Sequence, residues 1–91
     1  MKKNTNQVFI FSKKVSVTEK YNFYEYLGVM LDSGIGVADA LESVNQKIKN
    51  PYFNSKLEEL ITFINSGDTF SKAMKKMPQI FSNSEISIIE S

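Results

Sequence analysis

Side chains that could do chemistry are few in this sequence of 91 residues, which has neither histidine nor cysteine. The commonest general base and the thiolate ligands of structural zinc are therefore missing. Neighbouring carboxylates occur at Glu58 and Glu59, and Asp39 lies three positions before Glu42. Such pairs can shuttle a proton or hold a hard cation. Without a histidine beside them, we interpret both pairs as solvated helix faces, which leaves a small acidic-site enzyme as the weakest hypothesis.

The glycine-containing segment Leu27–Leu41 is the nearest approach to a phosphate loop, but it lacks the spacing and the lysine of one. Ser33 and Ser66 each precede a glycine, and neither has a base nearby in the sequence. We interpret Gly34 and Gly67 as residues that end helices in a left-handed conformation. The sequence therefore predicts no enzyme activity and no catalytic, cofactor-binding or metal-ligating residue.

The pattern of Leu27–Leu41 recurs 33 residues later, at Leu60–Met74. Nine positions correspond, from Leu27 with Leu60 to Val44 with Met77. This period is close to the length of a tetratricopeptide repeat, so a helical-hairpin adaptor that binds a peptide is an alternative. Two repeats rarely suffice for such a solenoid, and the predicted fourth helix is much shorter than the second.

Helix-start signals divide residues 16–91 into five predicted helices. Ser16 with Glu19 and Ser82 with Glu85 have capping-box spacing, and Asn50 followed by a proline is a typical helix start. Thr69 can cap the short fourth helix, which Pro78 should end. Short connections make neighbouring helices antiparallel, and no segment reads as a strand. We predict an all-α fold, a small antiparallel up-down helical bundle.

Apolar spacing indicates which sides of these helices are buried. The second and third helices each have one apolar face, and Met30, Met74 and Met77 lie at core positions. The first helix has only a narrow polar stripe, so we expect it to be central and the most buried. Gly28 inside it costs about 1 kcal/mol relative to alanine and could let another backbone approach closely.

Composition limits the class of protein. The sequence is 42% apolar and 23% charged, which is typical of a globular domain. Eleven lysines, no arginine and ten acidic residues give a net charge of +1, which argues against a nucleic-acid-binding module. No apolar run approaches the roughly 18 residues of a membrane span.

Two segments could contact a partner. Residues 1–15 are predicted to be a partly disordered arm, in which Val8–Phe11 is apolar and is flanked by lysines at positions 2, 3, 13 and 14. This arm either covers the domain surface or contacts a partner or membrane surface. Lys72, Lys75 and Lys76 form either a solvated face or a docking patch for an acidic partner.

Several ordered motifs resemble one family, the cytoplasmic domain of the inner-membrane platform protein of type II secretion and type IV pilus machines. The resemblance covers about residues 14–91 and begins with a phenylalanine–leucine helix that leads into a serine–glycine turn. The fold-defining motif positions that match are Gly34, Ala40, Leu41, Pro51, Gly67, Ala73, Pro78 and Phe81. Three positions depart from the family pattern, because Glu25 and Tyr26 stand where arginine and glutamine are common, and Lys72 stands where a glutamate is common.

This resemblance implies a non-catalytic scaffold in a bacterial inner-membrane protein, with this domain on the cytoplasmic side. The expected partners are the assembly ATPase, pilins and other inner-membrane components of the same machine. Partner-binding residues would be Lys72, Lys75, Lys76 and Glu25. The family's sixth helix would follow Ser91, so we expect an open apolar groove along the fifth helix and a homo-oligomer, such as a dimer, formed through it.

Overall fold

The computed structural model describes residues 14–91, which form five helices and no strand. The helices are α1 (Val17–Asp32), α2 (Val37–Lys47), α3 (Pro51–Asn65), α4 (Phe70–Lys75) and α5 (Asn83–Glu90). The predicted all-α fold is confirmed. Residues 1–13, which make up most of the predicted arm, lie outside the described residues.

Side-chain caps begin these helices where the sequence predicts them. The Ser16 hydroxyl accepts from the N–H of Glu19 at 3.1 Å, and the Glu19 carboxylate accepts from the N–H of Ser16 at 2.8 Å. Ser82 and Glu85 repeat this reciprocal pair at 3.1 Å and 2.9 Å. Each capping box satisfies two backbone donors that a helix start leaves unpaired. The other two predicted caps are also present, at Asn50 and Thr69.

Two glycine turns, after α1 and after α3, have the same geometry. Gly34 has φ of 90° and Gly67 has φ of 116°, both in the left-handed region. The N–H of Gly34 donates to the carbonyl of Leu31 at 3.0 Å, and the next N–H donates to that of Met30 at 3.2 Å. The corresponding bonds after Gly67 measure 3.0 Å and 3.1 Å. Both turns are therefore Schellman motifs, and the glycines end helices as predicted.

Each helix packs against the next one in the chain, and α3 lies between α2 and α4. The inward faces of α2, α3 and α4 build most of the core, as their apolar spacing predicts. Their buried side chains are Ala40, Leu41, Val44, Phe53, Leu57, Leu60, Ile61, Ala73 and Met74. Met77, Ile80 and Phe81, in the connection after α4, complete this core with Ile86 of α5. Because α4 ends at Lys75, the helix is already over before Pro78, which lies in the following turn.

The start of α5 returns to α1 and closes the bundle. The ring of Phe23 on α1 lies 5.3 Å from that of Phe53 on α3 and 6.4 Å from that of Phe81, just before α5. Glu85 on α5 makes an ion pair with Lys20 on α1. A chain that closes on itself in this way is not the stacked solenoid that tetratricopeptide repeats build.

The expectation that the first helix is the most buried is wrong. Only Phe23 and Leu27 of α1 are buried, whereas Val17, Tyr21 and Val29 are 87%, 62% and 65% exposed. The helix with the largest number of buried residues is α3, which packs against both α2 and α4. A narrow polar stripe shows that much of a helix surface is apolar, but burial also requires a second element to cover it. Within residues 14–91, no element covers the outer side of α1.

Candidate functional site

The predicted basic cluster lies on α4 and on its C-cap residue, Lys76. The Lys75 ammonium lies 2.6 Å from the Glu90 carboxylate on α5, and the Lys76 ammonium lies 2.6 Å from the Asp68 carboxylate before α4. Lys72 is exposed and makes no ion pair within residues 14–91. The structure brings these three lysines together, but two of them are already paired with carboxylates.

Glu25, the fourth predicted partner-binding residue, lies on a different helix. Its side chain is on the exposed side of α1, where it accepts a hydrogen bond of 3.3 Å from the Tyr21 hydroxyl. The four predicted residues therefore do not form one patch. The basic cluster belongs to α4, and Glu25 belongs to the open side of α1.

A polar cluster that the sequence did not reveal joins α1 to α5. The Oε1 atom of Glu85 accepts from the Tyr24 hydroxyl at 2.6 Å and from the Lys20 ammonium at 2.9 Å. The Oε2 atom accepts from the same ammonium at 3.0 Å and from the N–H of Ser82 at 2.9 Å. The Lys20 ammonium also lies 5.4 Å from the centre of the Phe81 ring, within the range of a cation–π contact. One carboxylate thus caps α5 and holds α1 in place.

This cluster shifts the pKa values of two of its members. Burial alone would raise the pKa of Glu85, but hydrogen bonds from Tyr24, from the N–H of Ser82 and from Lys20 outweigh it and lower the pKa to about 2. Burial and the hydrogen bond to the charged Glu85 together raise the pKa of the Tyr24 phenol. At neutral pH, Glu85 is therefore an ionised carboxylate that accepts a hydrogen bond from a neutral phenol.

Sequence patterns identify only part of this cluster. The capping-box spacing identifies Glu85 as the partner of Ser82, three positions away. Its contacts with Tyr24 and Lys20 join residues 61 and 65 positions apart, and no local pattern encodes them. Spacing alone groups Tyr24 with the apolar residues of α1, although its hydroxyl needs a partner when the ring is half-buried.

Beside this cluster lies an open groove between α1 and α5. One part is a cavity of about 280 Å³ with an apolar surface, lined by Tyr24, Glu85, Ile88 and Ile89. A second cavity of about 380 Å³ shares Tyr24 and Glu85 and is further lined by Val15, Val17, Lys20 and Tyr21. We call the two together the α1–α5 groove. Gly28 lies one turn after Tyr24 on the same side of α1, and a Cβ added to it would meet nothing within 4 Å.

Grouped metal ligands and buried polar side chains are both missing from the described residues. Among residues 14–91, no three histidine, cysteine, aspartate or glutamate side chains are grouped so that they could hold a metal ion. Every buried side chain in this part of the chain is apolar. None of the helices α1 to α5 is both long and apolar enough to cross a membrane. The features that stand out are therefore two surfaces, the basic cluster of α4 and the α1–α5 groove.

Comparison with known proteins identifies the family. No curated protein and no solved structure matches the chain. The family model for protein F of the type II secretion system matches residues 23–91, from the middle of α1 to the end of α5. This match covers most of the helical bundle, both glycine turns and the basic cluster, so the chain belongs to the family of type II secretion system protein F.

Proposed function

We propose that this chain is a non-catalytic scaffold domain on the cytoplasmic side of the bacterial inner membrane. In this proposal it contacts the assembly ATPase of a type II secretion or type IV pilus machine and passes the motion of the ATPase to pilin subunits. Membership of the protein F family carries the proposal, because this family consists of inner-membrane secretion proteins. The wholly apolar interior of residues 14–91 suits a module that works through its surface.

The basic cluster of α4 is the surface that we assign to the ATPase. The ion pairs of Lys75 and Lys76 lie at the surface, where such pairs contribute little to stability. Carboxylates of a partner can therefore replace Glu90 and Asp68 in these ion pairs with little loss of folding free energy. Lys72 adds a charge that makes no ion pair within the described residues. Complementary charge of this kind mainly raises the association rate and selects the partner.

The test is co-purification of the full-length membrane protein with its cognate hexameric ATPase, for the parent and for the triple variant K72E/K75E/K76E. We expect the parent to retain the ATPase and the triple variant to lose most of it. A matched control is K14E/K47E/K49E, which changes the same number of exposed lysines elsewhere on the surface. Lys49 precedes α3, whose 15 residues place its two ends about 22 Å apart, so the control lies away from the α4 cluster.

Two outcomes would contradict the proposal. If the full-length parent retains neither the ATPase nor pilin subunits, the scaffold function itself is wrong. If the triple variant retains the ATPase as well as the parent does, the scaffold function stands but the assignment to α4 is wrong. Thermal unfolding of both variants shows whether a loss of binding reflects a loss of fold.

A further inference from the structure

The α1–α5 groove has an apolar lining that nothing in residues 14–91 covers. Val17 at one end of the groove is 87% exposed, and Ile88 on α5 is 72% exposed. The polar atoms at its floor already have partners, because Glu85 accepts from Lys20, Tyr24 and Ser82. A segment that fills the groove therefore needs apolar side chains more than hydrogen-bonding groups.

Charge divides the chain into two unlike parts. Residues 1–14 contain four lysines and no acidic residue, which gives +4. Residues 15–91 contain the other seven lysines and all ten acidic residues, which gives −3 and, with the first part, the total of +1. The opposite net charges of the two parts favour contact between the N-terminal segment and the rest of the chain.

The described chain begins beside the groove. The side-chain amide of Asn50 donates to the carbonyl of Lys14 at 2.8 Å, and Val15 lines the groove. The apolar run Val8–Phe11 lies three to six residues before Lys14. An extended chain spans at most about 3.5 Å per residue, so this run can reach points about 10 to 20 Å from Lys14. Val15 and Glu85 line the same cavity, and the eight residues of α5 extend over about 12 Å, a length comparable to this reach.

We propose that the segment Val8–Phe11 binds the α1–α5 groove of its own chain. The side chains of Phe9, Ile10 and Phe11 supply the apolar surface that the groove lacks, and the flanking lysines face the net negative charge of residues 15–91. Attachment through Lys14 gives the segment an effective concentration of about 1 mM, so a modest intrinsic affinity suffices. This proposal is independent of the ATPase contact, because the basic cluster of α4 forms no part of the groove.

A spin label on the 91-residue chain tests the proposal directly. The chain has no cysteine, so T5C provides a single attachment site three residues before the apolar run and away from Lys14. We expect the methyl NMR signals of Ile88 and Ile89 to lose most of their intensity. The signal of Ile35 should keep its intensity, because it follows the far end of α1, whose 16 residues extend over about 24 Å.

Variants of the labelled chain separate apolar binding from simple proximity. F9S/F11S should restore the signals of Ile88 and Ile89, whereas the matched pair N4S/N6S, outside the apolar run, should leave them weak. Neither pair changes a residue of the described core, so both variants should keep the fold, which circular dichroism checks.

Three outcomes would overturn the proposal. The first is full intensity at Ile88 and Ile89 in the labelled parent; binding of that chain to vesicles of anionic phospholipid would then point to a membrane surface for the segment. The second is a loss of intensity at Ile88 and Ile89 in F9S/F11S that equals the loss in the labelled parent. The third is an equal loss when a spin-labelled chain is mixed with an isotope-labelled chain that carries no spin label, since a second copy would then occupy the groove.

Discussion

Two helix–turn–helix units, residues 17–47 and 51–75, have the same turn and different surroundings. In the first unit the Ser33 hydroxyl donates to the carbonyl of Val29 at 2.9 Å, and in the second the Ser66 hydroxyl donates to that of Thr62, also at 2.9 Å. Both units then turn through a glycine with positive φ. The sequence pattern that recurs after 33 residues therefore corresponds to a repeat of local structure.

Burial separates the two units. Gly28 in α1 corresponds to Ile61 in α3, and a Cβ on Gly28 would meet nothing within 4 Å, whereas Ile61 is in the core. Likewise Tyr24 is half-buried and its counterpart Leu57 is fully buried. The repeated pattern makes equivalent helices, but the neighbours of each helix decide which of its sides is covered. The open side of the first unit is where the α1–α5 groove lies.

The second helix of each unit also differs in its N-cap and its length. Gly36 begins α2 without a side-chain cap, whereas Thr69 begins α4 and accepts from the N–H of Lys72 at 3.2 Å. The N-cap of α4 supports a helix of only six residues, compared with eleven in α2. This short helix presents the basic cluster. The first unit therefore offers an apolar groove, and the second offers a charged surface.

Alanine at positions 28 and 61 should change the free energy of unfolding in opposite directions. This pair of substitutions gives the largest expected difference between the two units. Ile61→Ala should destabilise the chain by about 2–5 kcal/mol, because it leaves a cavity in the core. Gly28→Ala should stabilise it by up to about 1 kcal/mol, because alanine favours the helix and its Cβ has free space. Urea unfolding measures both. A destabilising Gly28→Ala would mean that another backbone lies against this position.

Replacing the buried alanine of each unit by leucine should lower the free energy of unfolding by about the same amount in both units. Ala40 and Ala73 are fully buried, so Ala40→Leu and Ala73→Leu should each destabilise the chain by about 1–3 kcal/mol through overpacking. Thermal unfolding of the two variants is the measurement. If either variant has the melting temperature of the parent, the helix side that carries its alanine is not packed.

Valine in place of either turn glycine should cost more than about 1 kcal/mol, because a β-branched residue is strained at positive φ. A Cβ at Gly34 or Gly67 meets nothing within 4 Å, so the cost is conformational and should be similar in both turns. Gly36→Ala serves as a control, because that glycine has negative φ. Unequal losses of stability in Gly34→Val and Gly67→Val would show that the two turns are not equivalent.

Acid should weaken the attachment of α1 to α5. The folded chain holds the pKa of Glu85 at about 2, below the ordinary 4.5, so the ionised carboxylate stabilises the fold above about pH 4.5. This contribution is lost as the pH falls from 4.5 towards 2. Glu85→Gln should flatten the dependence of unfolding on pH in that window, and Tyr24→Phe should flatten it in part by removing one hydrogen bond. An unchanged dependence in Glu85→Gln would contradict the assigned role.

Local patterns in the sequence predict the caps, the two glycine turns and the inward faces of α2, α3 and α4, because each depends on residues within a few positions of one another. The exposure of α1 could not be predicted in this way. Its apolar residues surround most of the helix, and only the three-dimensional arrangement shows that Tyr21 and Val29 face solvent. The contacts of Glu85 with Lys20 and Tyr24 were hidden for the same reason, since they join distant parts of the chain.

Hydrogen exchange tests the proposed docking most directly. The measurement compares backbone amide exchange in this chain alone and with the purified hexameric ATPase of its own machine. We predict slower exchange in α4 and around Lys76 when the ATPase is present, and no change at the turn between α2 and α3. Unchanged exchange throughout the chain, or protection confined to the turn between α2 and α3, would contradict the docking of the ATPase on the basic cluster of α4.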